Sequence, residues 1–363
     1  MKPNPTSFKP APARSIAPLR ICSWNFEDFT SENPAKVQRM ADAITGPLGS
    51  PHILAVQEMF GPAAEREGES LENPHAAALI AAIEERSGKH YQYCEITPKR
   101  GLSGGVPGGN IRNGFFYRTD RIALSAPVID DTPRTRGGYV ATPEGLRLHQ
   151  QNPQAPVMHS WAFENSRKPL LGQFTDLASD EQYFIVNVHL KSNPALYTHP
   201  DRVVPLKDER HARARRRAQA LAISDYTREL WGAHSPTATN SHVIVCGDFN
   251  ATVQPTAPAH SYLHTRGRRP ARSTLERLEH PGFIRVTDDL PEGSSHRIGE
   301  FSSNIDHAFI SWPLAERSRA DRFILNQGDE LERLSDHNPT LLRIAPKLQQ
   351  RDATLGQAFG YLG

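Results

Sequence analysis

The ten residues VIVCGDFNAT, Val243 to Thr252, set a carboxylate and a carboxamide two positions apart at the end of an apolar run. Val243, Ile244, Val245 and Cys246 are β-formers without alternation, the pattern of a strand covered on both faces. Gly247 then lets the backbone turn, and Asp248 and Asn250 emerge where the strand ends, as groups able to hold a cation, a water or a phosphate. Asp, Asn and Gly are also ordinary turn residues, so this segment alone is equally a solvated turn.

Other segments repeat the design. Arg20-Ile-Cys-Ser23 leads to Trp24-Asn25, and Ile53-Leu-Ala-Val56 leads to Gln57-Glu58. Phe184 to Val188 leads to His189 and Lys191, and Ser335-Asp-His-Asn-Pro339 precedes the apolar pair Leu341-Leu342. In this order and spacing the segments resemble the endonuclease/exonuclease/phosphatase superfamily, from about Arg20 to about Ile344. The resemblance implies an α+β fold, a four-layer α/β/β/α sandwich of two packed mixed sheets flanked by helices. Its active site would lie at one end, where loops from both sheets meet. Strands alternating with helices also suit a doubly wound parallel sheet, but motifs at strand ends from both halves of the chain favour two sheets face to face.

A phosphodiester repels nucleophiles, so its hydrolysis needs a cation on the non-bridging oxygen, an oriented water and groups that offset developing charge. The resemblance assigns these parts. Glu58 becomes the metal ligand, with Asn25 as a neutral oxygen beside it, in a site suited to Mg²⁺, for which Mn²⁺ substitutes. Asp336 completes the metal shell or holds a second cation. Asp248 orients and deprotonates the water, and Asn250 holds the phosphate or that water. His337 faces the phosphate, its tautomer fixed by Asp306, while His307, next in sequence, packs or bonds locally. His189 with Lys191 reads as the other half of a two-histidine site, since deoxyribonuclease-like members, sphingomyelinases and 5-phosphatases use a histidine here; protonated, His189 and His337 would together offset the charge on the phosphorane and leaving group. The segments around Arg112 and Arg167 resemble those of bacterial extracellular-nuclease-like members, which makes both arginines phosphate clamps; surface pairing with nearby acids is the competing account.

The elements that must position these groups follow from local signals. Asn33-Pro34 reads as an N-cap and first helical residue, with Val37, Met40, Ala41 and Ile44 at helical spacing. A second helix is expected from Pro74 to Ser87, stopped by Gly88, before a strand from Tyr91 to Ile96. A Gly-rich loop covers 99–113, and strands follow at Gly114 to Tyr117 and Arg121 to Leu124. Residues 133–156 hold few apolar anchors and read as a long mobile insertion. A basic helix is expected from Asp208 to Trp231, and 255–272 as a second exposed excursion. Along that helix Arg210, Arg213 and Arg217 share one face, either as a phosphate-tracking surface or as a solvated face. The same alternatives hold for Arg266, Arg268, Arg269 and Arg272.

The chain has 363 residues, 37% hydrophobic and 23% charged, with a net charge of +2. That is a globular composition without a membrane-length apolar run, and too little charge to announce a nucleic-acid partner. Motifs spread from Asn25 to His337 suit one catalytic domain over 20–345, with a disordered lead-in at 1–19 and a tail at 346–363. Cys22, Cys94 and Cys246 lie in apparent strands and read as reduced core residues. The first residues lack the apolar core of a secretory signal, which points to the cytoplasm, or to a secreted protein if a leader was trimmed. No obligate protein partner is evident.

The leading expectation is a DNA endonuclease of low sequence specificity, with RNA as the other nucleic-acid substrate, gripping the phosphate backbone. Hydrolysis of inositol phosphates or sphingomyelin is the alternative, and a catalytically inactive binding module a weaker one. Against the alternative, 301–312 lacks the Pro-Xaa-Trp-Cys-Asp-Arg signature of 5-phosphatases.

Overall fold

The computed structural model describes residues 16–66, 69–100, 105–106, 109–131, 138–143, 145–157, 160–192, 206–232, 242–252, 274–279, 282–291, 295–298, 301–325 and 333–347. In chain order the first half gives β1 (Leu19–Phe29), α1 (Pro34–Thr45), β2 (Ile53–Gly61), α2 (Pro74–Ser87), β3 (Tyr91–Glu95), β4 (Gly105–Val106), β5 (Gly109–Arg118) and β6 (Ile122–Leu124). It continues with β7 (Tyr139–Thr142), β8 (Gly145–Leu148), β9 (Leu170–Asp176), β10 (Glu181–His189), α3 (Leu206–Gly232) and β11 (His242–Asp248). The last strands are β12 (Phe283–Arg285), β13 (His296–Ile298), β14 (Phe301–Ser303), β15 (Asp306–Ser311), β16 (Ser318–Arg322) and β17 (Thr340–Ile344).

One seven-stranded sheet runs β16-β17-β1-β2-β5-β3, with β4 also on β5, and a six-stranded sheet runs β12-β15-β11-β10-β9-β6. Each has one parallel pair at its middle, β1 with β2 and β10 with β11, between antiparallel neighbours. A parallel pair needs a crossover. The crossovers contain α1 and α3, and these helices set the outer layers.

Side-chain alternation along the central strands shows the layering. Trp24, Leu54 and Val56 face α1 and α2, where Met40, Ile44, Leu79 and Ile83 meet them. Phe184, Val186, Val243 and Val245 face α3, against Ile223 and Leu230. The residues between, Ile21, Ile53, Ala55, Ile185, Ile244 and Cys246, close the seam between the sheets with Phe115 and Phe174. Each fully buried aliphatic or aromatic side chain here contributes about 1.5–3 kcal/mol. The result is the α/β/β/α sandwich, with strands that read as continuous apolar runs because both faces are covered.

Local signals set the helix ends. The Asn33 side chain accepts from Lys36 N at 3.1 Å and Pro34 opens α1. Asn73 accepts from His75 N and Ala76 N, and Gly88, at φ 61°, stops α2 in the left-handed region. The cysteines are free thiols, Cys22 and Cys246 fully buried. Among the described residues no helix is long and apolar enough to cross a membrane.

Several expectations change. The stretch 133–156 is structured where described: β7 and β8 form a ribbon, Gln154 bridges to Leu171, and His149 is buried. Leu146 and Leu148 are buried in the core that holds Phe184 and Val186, and polar side chains add to the anchoring, Gln154 donating to the Gly138 and His149 carbonyls and Asn152 to those of Ser125 and Gln173. Strand β5 begins at Gly109, because β4 and the end of β2 extend its pairing. Residues 1–15, the excursion at 253–273 with its arginines, and 348–363 of the expected tail lie outside the described residues.

Gly247 does not turn the chain. Strand β11 runs on through Asp248, and at φ 141° a Cβ on Gly247 would collide with the Val188 carbonyl oxygen of β10. The glycine is there for close approach of two backbones. Gly247→Ala should therefore cost on the order of 3 kcal/mol, read as a lower midpoint in urea unfolding; an unchanged midpoint would show that β10 yields.

Candidate active site

Register assembles the site. Asp248 pairs with His189 on one side and with Asp306 on the other, so three neighbouring strands end with His189, Asp248 and Asp306 in one row. In the other sheet Asn25 pairs with Gln57 just before both β1 and β2 lose register. Glu27, Asp28 and Glu58 sit there at φ 52°, 44° and 58°, and Asn250 at 49°. Left-handed backbone is uncommon outside glycine, with Asn and Asp the residues that tolerate it best, and bulges of this kind re-aim side chains. Here they turn Asn25 and Glu58 toward the other sheet.

The two sheets meet through short polar contacts. Asn25 Nδ2 donates to Asp248 Oδ2 at 3.2 Å, while Asn25 Oδ1 accepts from Glu27 N at 3.0 Å. Glu58 Oε2 accepts from Asp28 N at 3.0 Å. His189 Nε2 lies 3.5 Å from Glu58 Oε1 and 3.4 Å from Asp248 Oδ2. His337 Nδ1 is 2.8 Å from Asp306 Oδ2, and its Nε2 faces Asp248 at 3.8 Å and Asp336 at 3.7 Å. The segment carrying His337 is fixed by Trp24 Nε1 donating to its carbonyl and by Ser335 Oγ donating to the Asn25 carbonyl, at 3.0 and 2.6 Å.

Burial and crowding set the charges. Burial pushes Asp248 well up, with Asp306 adding to the rise against the pull of His337. Burial also raises Glu58, with Asp28 adding to it, and raises Asp28, with Asp336 adding to it. For His337 burial acts downward, but Asp306, Asp336 and Asp248 outweigh it and hold the imidazole well above its ordinary range. In return His337 holds Asp306 and Asp336 low against their own burial. His189 goes the other way: complete burial, then the charges of Arg167 and His337, hold it well below its usual value. The two imidazoles expected to be protonated alike are thus driven in opposite directions, His337 toward the cation and His189 toward the neutral ring.

The backbone matches solved structures across nearly its whole length. An endonuclease/exonuclease/phosphatase from Bacteroides vulgatus superposes with a TM-score of 0.52 at 17% identity, covering 92% of this chain and 100% of that one. Truncated TDP2 from Caenorhabditis elegans gives a TM-score of 0.50 at 13% identity, over 90% and 98% of the two chains. The chain has the endonuclease/exonuclease/phosphatase fold. No protein-family profile and no curated protein matches its sequence.

Within this endonuclease/exonuclease/phosphatase fold, Asn25, Glu58, His189, Asp248, Asn250, Asp306, Asp336 and His337 come together at one end of the sandwich. Asn250 has a structural task that the sequence did not show. Its backbone N and its Nδ2 donate to Asp248 at 2.7 and 3.1 Å, and Nδ2 also reaches the Leu190 carbonyl. It holds Asp248 in place. Arg167 stands beside the row, donating to the His189 and Leu190 carbonyls and to Ser192 Oγ. Lys191 is farther into a cationic neighbourhood: burial and then Arg167, Arg215 and Arg216 lower its pKa.

Arg112, expected as a phosphate clamp, is engaged by structural partners. It is buried against Glu95 and the Pro62 carbonyl, and Glu95 is held in turn by Tyr93 and Asn73. The guanidinium braces the end of β2 against β3 and the start of α2. The basic helix also divides. Arg213 pairs with Glu209 one turn back, Arg215 donates to the Ala162 and Glu164 carbonyls, and Arg216 to those of Lys191 and Ser192. Arg210 and Arg213 face solvent. His307 packs locally as expected, on Phe249, with Nε2 3.0 Å from the Ala251 carbonyl.

Sequence reasoning missed several supports. Glu27 accepts from Asp336 N and pairs with Arg333; its place two residues after Asn25 was the available signal. Ser295 Oγ accepts from Ile305 N and Asp306 N, and Gln57, Asn187 and Asn113 form a buried chain of hydrogen bonds between the sheets. His296, which stands apart from these supports with its Nε2 3.5 Å from Asp336 Oδ2, had no signal at all.

Two outcomes follow from the charges. Asp306→Asn should bring the His337 imidazole down toward about 6.5, the unperturbed value, in an NMR titration of the metal-free protein; an unmoved His337 would assign its rise to Asp248 and Asp336 alone. Arg112→Ala should lower unfolding free energy by about 3–5 kcal/mol, because it leaves Glu95 buried without its cation. Unchanged stability with weakened substrate binding would restore the clamp.

Proposed function

We propose that this chain is a divalent-cation-dependent phosphodiesterase of the deoxyribonuclease-like branch, a DNA endonuclease with little sequence preference. The observation that supports this best is the row His189, Asp248 and Asp306 on adjoining strand ends, joined to Asn25 of the other sheet and to His337. A buried base, a buried imidazolium and an oxygen-rich corner face one another across the end of the sandwich.

Glu58 and Asn25 are the residues that would hold the cation, with Asp336 completing the anionic set. The donors are carboxylate and carboxamide oxygens, which suit Mg²⁺ or Mn²⁺, and the burial that raises Asp28 and Glu58, with repulsion from neighbouring acids added to it, is the kind of penalty a divalent charge relieves. When bound, the cation would polarise a non-bridging phosphate oxygen.

The protein's own groups carry the remaining work. Asp248, raised by burial and fixed by Asn250 and Asn25, accepts the proton of the attacking water; a base with a raised pKa is the better acceptor. His337, kept cationic by Asp306, donates to the phosphate and offsets charge on the leaving oxygen. His189 is a neutral donor through Nε2, oriented between Glu58 and Asp248. Arg167 braces the His189 backbone and adds positive charge beside the phosphate. Contact with the nucleic-acid backbone and not with base edges accounts for low sequence preference.

Supercoiled plasmid, a bis-nitrophenyl phosphate and an inositol phosphate, each with Mg²⁺ and with chelator, separate the substrate classes. Plasmid and diester cleavage that stops with chelator is the expected result, and turnover of the inositol phosphate alone would replace the assignment. Asp248→Asn should fold normally and lose about a hundredfold to ten-thousandfold in kcat, the contribution of a positioned general base, and Glu58→Ala should lose at least about a hundredfold. Full activity of Glu58→Ala in chelator would remove the metal from the mechanism.

A further inference from the structure

His296 is a buried histidine that the hydrolytic scheme does not use. It lies on β13, bridged to the backbone of His337, with the two rings 4.8 Å apart. Both imidazoles are arranged alike. His337 Nδ1 is engaged by Asp306 at 2.8 Å and His296 Nδ1 meets Ser303 Oγ at 3.3 Å, which leaves each Nε2 aimed at the same carboxylate. His296 Nε2 is 3.5 Å from Asp336 Oδ2 and His337 Nε2 is 3.7 Å from Asp336 Oδ1. The three ligating atoms lie within 4.8 Å of one another.

A metal-bound histidine presents one ring nitrogen while a carboxylate, carbonyl or hydroxyl fixes the other. Both rings meet that condition. With ligand bonds of about 2.0–2.2 Å, a tetrahedral ion needs its donors a little over 3 Å apart, so modest side-chain rotation closes the triangle. Two imidazoles and one carboxylate suit Zn²⁺ or Co²⁺ and are poor ligands for Mg²⁺, which prefers oxygen and water.

We propose that His296, Asp336 and His337 form a second cation site, selective for an imidazole-binding transition ion such as Zn²⁺, and that filling it switches hydrolysis off. The ion takes the lone pair of His337 Nε2, any proton there leaves to solvent, and the nitrogen is no longer open to donate to phosphate. Binding stands on the geometry alone; the switch rests on the hydrolytic role proposed for His337. His296 is the specific determinant, since Asp336 and His337 have other work.

Co²⁺ titration of the full chain, stripped with chelator, reads binding directly through its visible absorption. One equivalent should produce the band, Zn²⁺ should displace it, and excess Mg²⁺ should not. His296→Asn should weaken binding at least tenfold, in line with about 10–100-fold for lost metal contacts, whereas Glu58→Gln should keep the band. A band that survives in His296→Asn and disappears in Glu58→Gln overturns the site. If circular dichroism shows His296→Asn unfolded, Asp336→Asn decides in its place, and a full band there refutes the site.

In plasmid cleavage with Mg²⁺, Zn²⁺ should inhibit the unaltered protein. His296→Asn should cleave within a few-fold of it and need at least ten times more Zn²⁺ for inhibition. Co²⁺ binding without Zn²⁺ inhibition overturns the switch. No cleavage of any phosphodiester in Mg²⁺ refutes the hydrolytic reading and with it the switch, while the Co²⁺ titration still decides the site.

Discussion

A carboxylate at complete burial is tolerated only where donors surround it, and Asp248 draws its donors from both sheets. Asn250 supplies a backbone N–H and a side-chain amide from its own strand end, and Asn25 reaches across from β1. Leaving such a group unmet would cost several kcal/mol. The sheets can therefore adopt only relative positions that keep Asn25 against Asp248. Bulges in β1 and β2, the left-handed residues and the seating of the last loop on Asn25 all serve that constraint.

The interior behind the site repeats the principle with neutral groups. Gln57 donates to Asn187 at 2.7 Å, Asn187 donates to the Val56 and Gly114 carbonyls, and Asn113 donates to the Asn187 carbonyl. An apolar seam such as Ile53, Ile185 and Ile244 would pack nearly as well after a small slide. Directional bonds among amides would not. They fix the register of one sheet against the other, so a few tenths of an ångström at the strand ends are preserved.

Much of this was legible in the residues. Apolar runs ending in Asn25, Glu58, His189 and Asp248 could be read because a covered strand must release its polar groups at its end. Capping by Asn33 and Asn73 was equally local. Which strands lie side by side was not legible, since alternation reports the face of a residue and not its neighbour; the row His189, Asp248, Asp306 comes from pairing. The buried partner of Arg112 was hidden for the same reason, because nothing in its own segment shows that Glu95 will be buried against it. The protonation of His189 depended on total burial, a property of the assembled sandwich. His296 occupies a three-residue strand with no periodicity to mark it.

The seating of the last loop carries a consequence for the integrity of the site. Trp24 holds the carbonyl of His337 and Asn25 accepts from Ser335, contacts that join residues more than 300 positions apart. Asp336 and His337 therefore stand at the site only while β1 and the loop before β17 are seated on each other. Loosening that seat would part the His337 imidazole from Asp248 while both sheets stayed packed, so the site can come undone before the fold does.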